Sequence, residues 1–183
     1  MKIYRRMLIA GLAVAVVGLA VSASASAAVW KEGSTKVSKL VTLGLTGAEV
    51  FEPTEGNGMS CETHLTMTTE GGSTGKVTKV EPKTCTGFGT YAKCTVVVAE
   101  PKTLPWTVTV NATDLSIANW RVRRTFKSGC TSTELDKTIT SMTVPLIEPS
   151  AITTMELSGL NGTYKVYGSF NVDSPNSGKY GIG

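Results

Sequence analysis

Side chains alternate with a period of two along almost the whole chain, and this pattern fits extended strands and excludes a helical fold. Cys61, Thr63, Leu65 and Met67 point one way, while Glu62, His64, Thr66 and Thr68 point the other. Trp106, Val108 and Val110 oppose Thr107 and Thr109. Ser116, Ala118, Trp120 and Val122 oppose Ile117, Asn119, Arg121 and Arg123. Ala92, Cys94, Val96 and Val98 alternate with Tyr91, Lys93, Thr95 and Val97, and Tyr164, Val166, Gly168, Phe170 and Val172 share one face. A half-buried strand needs this alternation, because successive Cβ atoms leave opposite faces of a sheet. No dozen-residue window carries an apolar stripe at i, i+3, i+4. Threonine, present 27 times, reinforces the reading: its branched Cβ restricts χ1 and suits a pleated surface better than a helix.

Turn residues divide these runs at short intervals, as in an all-β domain. They are Glu55-Gly-Asn-Gly58, Gly71-Gly72, Gly87-Phe-Gly89, Glu100-Pro-Lys102, Lys127-Ser-Gly129, Glu148-Pro149 and Asn161-Gly162. Asn161-Gly162 predicts a two-residue type I′ turn, with both residues at positive φ, joining strands over Thr153–Leu160 and Thr163–Val172. Pro145 and Pro149 bracket a predicted edge or crossover, and Lys179–Ile182 is placed as a short closing strand. The expectation is nine to eleven strands in a single antiparallel β-sandwich domain over residues 28–183, with a closed β-barrel as the alternative.

Residues 1–27 read as a secretory signal peptide. Lys2, Arg5 and Arg6 precede an uncharged run from Met7 to Val21, followed by Ala25-Ser-Ala27. The run is short of the roughly 20 residues of a membrane span, so no membrane span is expected after cleavage. No cysteine closely follows it for lipid attachment. Arg5-Arg6 lacks the flanks of twin-arginine export, which leaves the general secretory route and a secreted or cell-surface location. The chain has 18 Lys+Arg and 14 Asp+Glu. Without the three leader charges, 15 basic groups face 14 acidic ones, a net charge near +1 that offers no reason to expect a nucleic-acid partner.

Cys61, Cys85, Cys94 and Cys130 all follow the leader. Four cysteines in an exported chain predict two disulfides. Cys61–Cys85 with Cys94–Cys130 is favoured, because the runs Met59–Thr68 and Lys76–Cys85 flank Glu70-Gly-Gly-Ser-Thr-Gly75 and bring the first two cysteines across one hairpin. Cys85–Cys94, over Gly87-Phe-Gly89, is the competing pair. The spacing contains no C-x-x-C and His64 is the only histidine, so no metal and no cofactor are expected.

Gly71-Gly-Ser-Thr-Gly75 matches G-x-S-x-G, but a nucleophile elbow needs a strand before it, a helix after it, and a histidine and an acid elsewhere; Lys76–Glu81 reads as another strand, and His64 is the only possible base. Leu104-Pro-Trp-Thr107 has the opening letters of a wall-sorting signal without its glycine or its C-terminal position, and reads as a proline entering a strand. Glu49, Glu52, Glu55, Glu62 and Glu70 could supply the paired carboxylates of a glycan-active hydrolase, the alternative to a non-enzymatic reading. Asn171-Val-Asp-Ser-Pro-Asn176 lacks the spacing of a calcium loop. Asn111-Ala-Thr113 and Asn161-Gly-Thr163 are formal glycosylation acceptors that also form ordinary turns. Among basic residues, Arg121 and Arg123 share a face that Arg124 does not; the first reading is edge-strand charges that block sheet-to-sheet pairing, and the functional alternative makes Arg121 and Arg123 contacts for an anionic envelope polymer. Trp106 and Trp120 are expected in the core, Trp30 and Tyr167 on the surface as contacts for a polysaccharide.

Gly-Met-Ser-Cys61, Gly-Cys130, Leu104-Pro-Trp-Thr-Val108 and Ser177-Gly-Lys-Tyr-Gly-Ile182 resemble small secreted β proteins of bacteria. That resemblance implies export and a β fold, and carries no catalytic or binding residue. The expected function is that of an exported, disulfide-bonded, non-enzymatic surface, structural or binding module whose partner is a cell-envelope or extracellular polysaccharide. A third reading is an eight-stranded outer-membrane barrel, for which the length suffices.

Overall fold

The structure, a computed structural model, describes residues 27–127, 129–130 and 132–183. The leader predicted over residues 1–27 therefore lies outside the described residues, apart from Ala27. The strands are β1 (Trp30–Glu32), β2 (Thr35–Lys36), β3 (Val41–Thr54), β4 (Asn57–Thr69), β5 (Thr74–Phe88), β6 (Val96–Pro101), β7 (Trp106–Val110), β8 (Asp114–Phe126), β9 (Glu134–Leu135), β10 (Thr138–Pro145), β11 (Thr154–Asn161), β12 (Tyr164–Val172) and β13 (Tyr180–Ile182). The all-β expectation holds. Nine strands have five residues or more, and β1, β2, β9 and β13 are short additions that take the number past the nine to eleven expected.

Of the two architectures considered, the pairings describe the barrel. Antiparallel ladders run β10-β11-β12-β3-β4-β5-β7-β8, and β8 then pairs with β10 from Arg121↔Thr138 to Asp114↔Pro145, which closes a ring of eight. Closure of this kind leaves the ring without a free edge, the recurring hazard of an open sheet. The sheet curls where β5 carries extra residues: its register against β4 shifts between Cys61 and Thr63 and again between Thr66 and Met67. Close strand approach also demands glycine. A Cβ on Gly47 would stand 2.0 Å from the Ser169 carbonyl oxygen, and one on Gly168 2.2 Å from that of Ala48, so β3 and β12 could not meet there with larger residues.

Leu43, Leu45, Leu65, Met67, Val77, Leu115, Ile117, Val144, Met155 and Leu157 point inward and are buried. They fill the barrel so completely that the enclosed cavity among them is about 10 Å³. The outer wall carries the opposite residues of each strand, among them Thr42, Glu62, Lys76, Thr78, Thr107, Thr109, Thr143 and Ser169, all exposed. One mouth is covered by the three-stranded sheet β13-β1-β2. Trp30 is buried there, its backbone N–H donating to Gly72 in the β4–β5 turn. At the other mouth a 3-10 turn over Gly89–Tyr91 brings Tyr91 edge-on against Phe126, with ring centroids 5.6 Å apart.

Three local expectations are corrected. The alternation in β8 changes phase: Leu115 and Ile117 are buried, then Trp120, Val122, Arg124 and Phe126. The break falls at Asn119, whose φ is +59, and the facing strand breaks with it, since both Thr140 and Ser141 are exposed between buried Ile139 and Met142. Ile117 therefore shares the inner face with Trp120 instead of opposing it. At the β11–β12 hairpin Asn161 pairs with Tyr164, so the loop residues are Gly162 and Thr163. Positive φ falls on Gly162 and not on Asn161, which removes the I′ geometry. The run expected over residues 91–98 begins as the 3-10 turn and becomes strand only at Val96.

Candidate functional site

Three places on the molecule gather polar chemistry: a buried charge cluster near the Tyr91 mouth, a cleft on the outer wall beside β8, and a groove at the Trp30 mouth. The cluster follows from the phase change in β8, which turns Arg124 inward. Arg124 and Glu49 are each fully buried, with Arg124 Nη2 donating to Glu49 Oε1 at 2.6 Å. Arg124 Nη1 donates to the Tyr164 hydroxyl at 3.3 Å and to the Val122 carbonyl at 3.2 Å. The guanidinium carbon lies 4.1 Å from the centroid of the Phe51 ring, a placement that adds cation–π attraction. Burial works most strongly against the charge on Arg124, but the charge of Glu49 and the contacts with Glu49 and Tyr164 together outweigh it, leaving the guanidinium more firmly protonated than usual. Glu49 Oε2 and Arg124 Nε have no protein partner among the described residues.

Burial also pushes Tyr164 up to about 12, with Arg124 pulling the other way. A folded-state value above the unfolded 10 means that Tyr164 favours the fold below pH 10 and ceases to do so as pH rises through about 12. Tyr164→Phe is therefore expected to abolish the part of alkaline destabilisation that falls between pH 10 and 12. Denaturant midpoints of both proteins across that range provide the check, and parallel pH profiles would contradict the assignment.

The expected polyanion contacts are both engaged by acids. Arg121 holds Asp136 through two bonds, Nε–Oδ1 at 2.7 Å and Nη2–Oδ2 at 2.6 Å, and this hydrogen-bonded contact keeps the Asp136 carboxyl below its usual range. Arg123 meets Glu134 at 3.0 Å. Arg121 lines the outer-wall cleft of about 270 Å³ together with Thr103, Trp106, Asn119 and Thr138. Neutralised in this way, the pair offers directed hydrogen bonds more than net positive charge.

Trp30 is 0% exposed and offers no face to a sugar ring, so its expected surface position is corrected: it is the central plug of one mouth, and the only cue was its place before the first strand. Tyr167 stands on the outer wall at 39% exposure, between Val50 of β3 and Ser158 of β11. Trp106 and Trp120 are in the core, centroids 4.6 Å apart. His64 lies on the wall, Nδ1 3.3 Å from Thr46 Oγ1 and Nε2 3.5 Å from Glu62 Oε1. The Gly71–Gly75 segment is a hairpin tip leading into β5, with no helix behind it. It lines the groove at the Trp30 mouth, about 790 Å³, along with Lys36, Leu40, Glu70 and Lys76.

Cys61 pairs in register with Cys85 and is bonded to it, and Cys94 is bonded to Cys130. Two disulfides suit a chain that folds in an oxidising extracellular or periplasmic compartment. Among the described residues no helix is long and apolar enough to cross a membrane, and no group of three or more His, Cys, Asp or Glu could hold a metal ion.

A family model described as alkane oxidation protein activator PraA/PraB-like matches residues 1–174. No curated protein matches, and no solved structure does.

Proposed function

The chain belongs to the PraA/PraB-like family of alkane oxidation protein activators, and from that premise we propose that it is an exported, non-enzymatic accessory domain that assists alkane oxidation by other proteins through contacts on its surface. The observation that carries this reading is the filled barrel. An interior reduced to about 10 Å³ has no room for an alkane chain, so the domain is not a carrier of the kind that encloses its ligand. The hydroxyl-rich outer wall and apolar interior are the reverse of a lipid-facing barrel, which alternates apolar outside with polar inside, and this favours an aqueous accessory over an outer-membrane barrel. Glu49, the buried member of the carboxylates considered for hydrolysis, is bound to Arg124.

Contact with a hydrophobic phase falls to the rims. Leu40 and Ile147, 62% and 79% exposed, stand at the Trp30 mouth, while Val97, Val98 and Leu160 stand toward the other.

Cells lacking the gene are expected to grow slowly on a liquid n-alkane yet normally on the corresponding primary alcohol. Oxidised protein added outside the cells should restore growth on the alkane, and the protein alone, with alkane and oxygen, should release no alcohol. Restoration only by protein retained in the cytoplasm would overturn the exported role, and alcohol formed by the protein alone would overturn the non-enzymatic one.

A further inference from the structure

The cleft beside β8 unites features that nothing in the accessory role requires. Among the described residues, Thr103 and Asn119 are the only ones other than glycine with positive φ, each at +59, and both line this one cleft. They are far apart in sequence and reach it from different elements, Thr103 from the β6–β7 connection and Asn119 from the middle of β8. A left-handed conformation is unfavourable for a β-branched residue such as threonine and persists only where surrounding structure holds it; such strain gathers at ligand sites.

The strain has an identifiable product. The phase break at Asn119 leaves its side chain exposed on the wall and sets Arg121 two residues further along the same surface. Asp136 fixes the Arg121 plane through Nε and Nη2, so Nη1, with no other protein partner among the described residues, is held in place as a donor. Thr107 and Thr138 add hydroxyl groups, while Pro105 and Ala118 supply apolar surface. The result is a small cleft with an oriented guanidinium, an amide, several hydroxyls and an apolar patch, whose one cation is already matched by a carboxylate.

We propose that this cleft binds a neutral carbohydrate, one sugar residue of an uncharged polysaccharide, with Asn119 and Arg121 as its principal hydrogen-bonding groups. A sugar ring presents vicinal hydroxyls to fixed donors and a C–H face to apolar surface, the two kinds of group found here. About 270 Å³ lies at the small end of ligand sites and suits a single ring of a chain that continues across the wall. An acidic polymer gains little, because Asp136 cancels the charge that would attract it. The assignment replaces the polyanion contact expected of Arg121, and it stands or falls independently of any part in alkane oxidation.

The test is affinity electrophoresis of the oxidised protein in gels containing dextran, mannan, galactomannan or, as the acidic control, alginate. Retardation is expected in at least one neutral gel and should persist in high salt, since the contacts are short and uncharged overall. Asn119→Gly keeps the left-handed backbone at no steric cost and removes only the amide; Arg121→Lys keeps the charge and removes the planar fork. Each should weaken binding about tenfold or more, while circular dichroism shows the fold retained. Three results would overturn the proposal: no retardation in any neutral gel, retardation by alginate alone that disappears in salt, or neutral binding unchanged in both variants.

Discussion

Glu49→Ala is expected to cost about 3–5 kcal/mol, because it strands the Arg124 guanidinium in the barrel without its counter-charge. For a domain of this size that corresponds to a fall in Tm of roughly 6–20 °C, at about 2–4 °C per kcal/mol. Taking charges out of water is expensive, and attraction between the partners repays it only while both are present. The double variant Glu49→Leu with Arg124→Met should therefore recover most of the loss, since apolar replacements of a buried pair are often neutral or stabilising. Denaturant titration of the three variants forms a double-mutant cycle. A small effect of Glu49→Ala, or a double variant no better than the single, would show that the pair is hydrated and not a buried charge pair. The unpartnered Glu49 Oε2 and Arg124 Nε indicate that the cluster contributes to register more than to stability. It opposes any slip of β8 against the strands it pairs with, because a slip by one residue would turn Arg124 out and a neighbour in.

Removal of the disulfides should have a comparably large effect. Loop entropy assigns about 3.5 kcal/mol to Cys61–Cys85 and about 3.8 to Cys94–Cys130, from sequence separations of 24 and 36 residues. The loops are sequential, not nested, so the two contributions add in the unfolded chain. Loss of both would remove about 7 kcal/mol, comparable to the whole stability of many domains. The expected result is that each Cys→Ala pair variant folds with a lowered denaturant midpoint, while the four-cysteine variant is largely unfolded at 37 °C, as followed by near-UV circular dichroism. A four-cysteine variant with native midpoint would show that strand closure alone sustains the barrel.

Much of this architecture was readable in the residues, and the failures have a common physical origin. Period-two patterning located the inner faces of β4, β7 and β12 because their burial is continuous and needs no irregularity. The Gly71-Gly72 turn gave the β4–β5 hairpin, and with it the approach of Cys61 to Cys85. Patterning failed where the backbone departs from ideal strand. The phase break at Asn119 leaves no compositional trace, since asparagine in a Thr-rich strand looks like any outward polar residue, and it was this break that carried Arg124 into the barrel. Trp30 was misplaced because its cover, β13, lies at the other end of the sequence, beyond the reach of any local pattern. The choice between sandwich and barrel depended in the same way on the pairing of β8 with β10. The cleft depended on two separate segments meeting, so Arg121 was legible as a cation while its partner Asp136 and its neighbour Thr103 were not.

The cap over the Trp30 mouth has a consequence in time. β1 pairs with β13, and Val29 and Gly183 exchange both backbone hydrogen bonds, so the earliest described strand and the latest are sewn into one patch. A ribosome supplies Trp30 long before it supplies Ile182. Until Tyr180–Ile182 emerges, the nascent barrel has an uncorked end and a bare indole, and no partial product can imitate the finished domain.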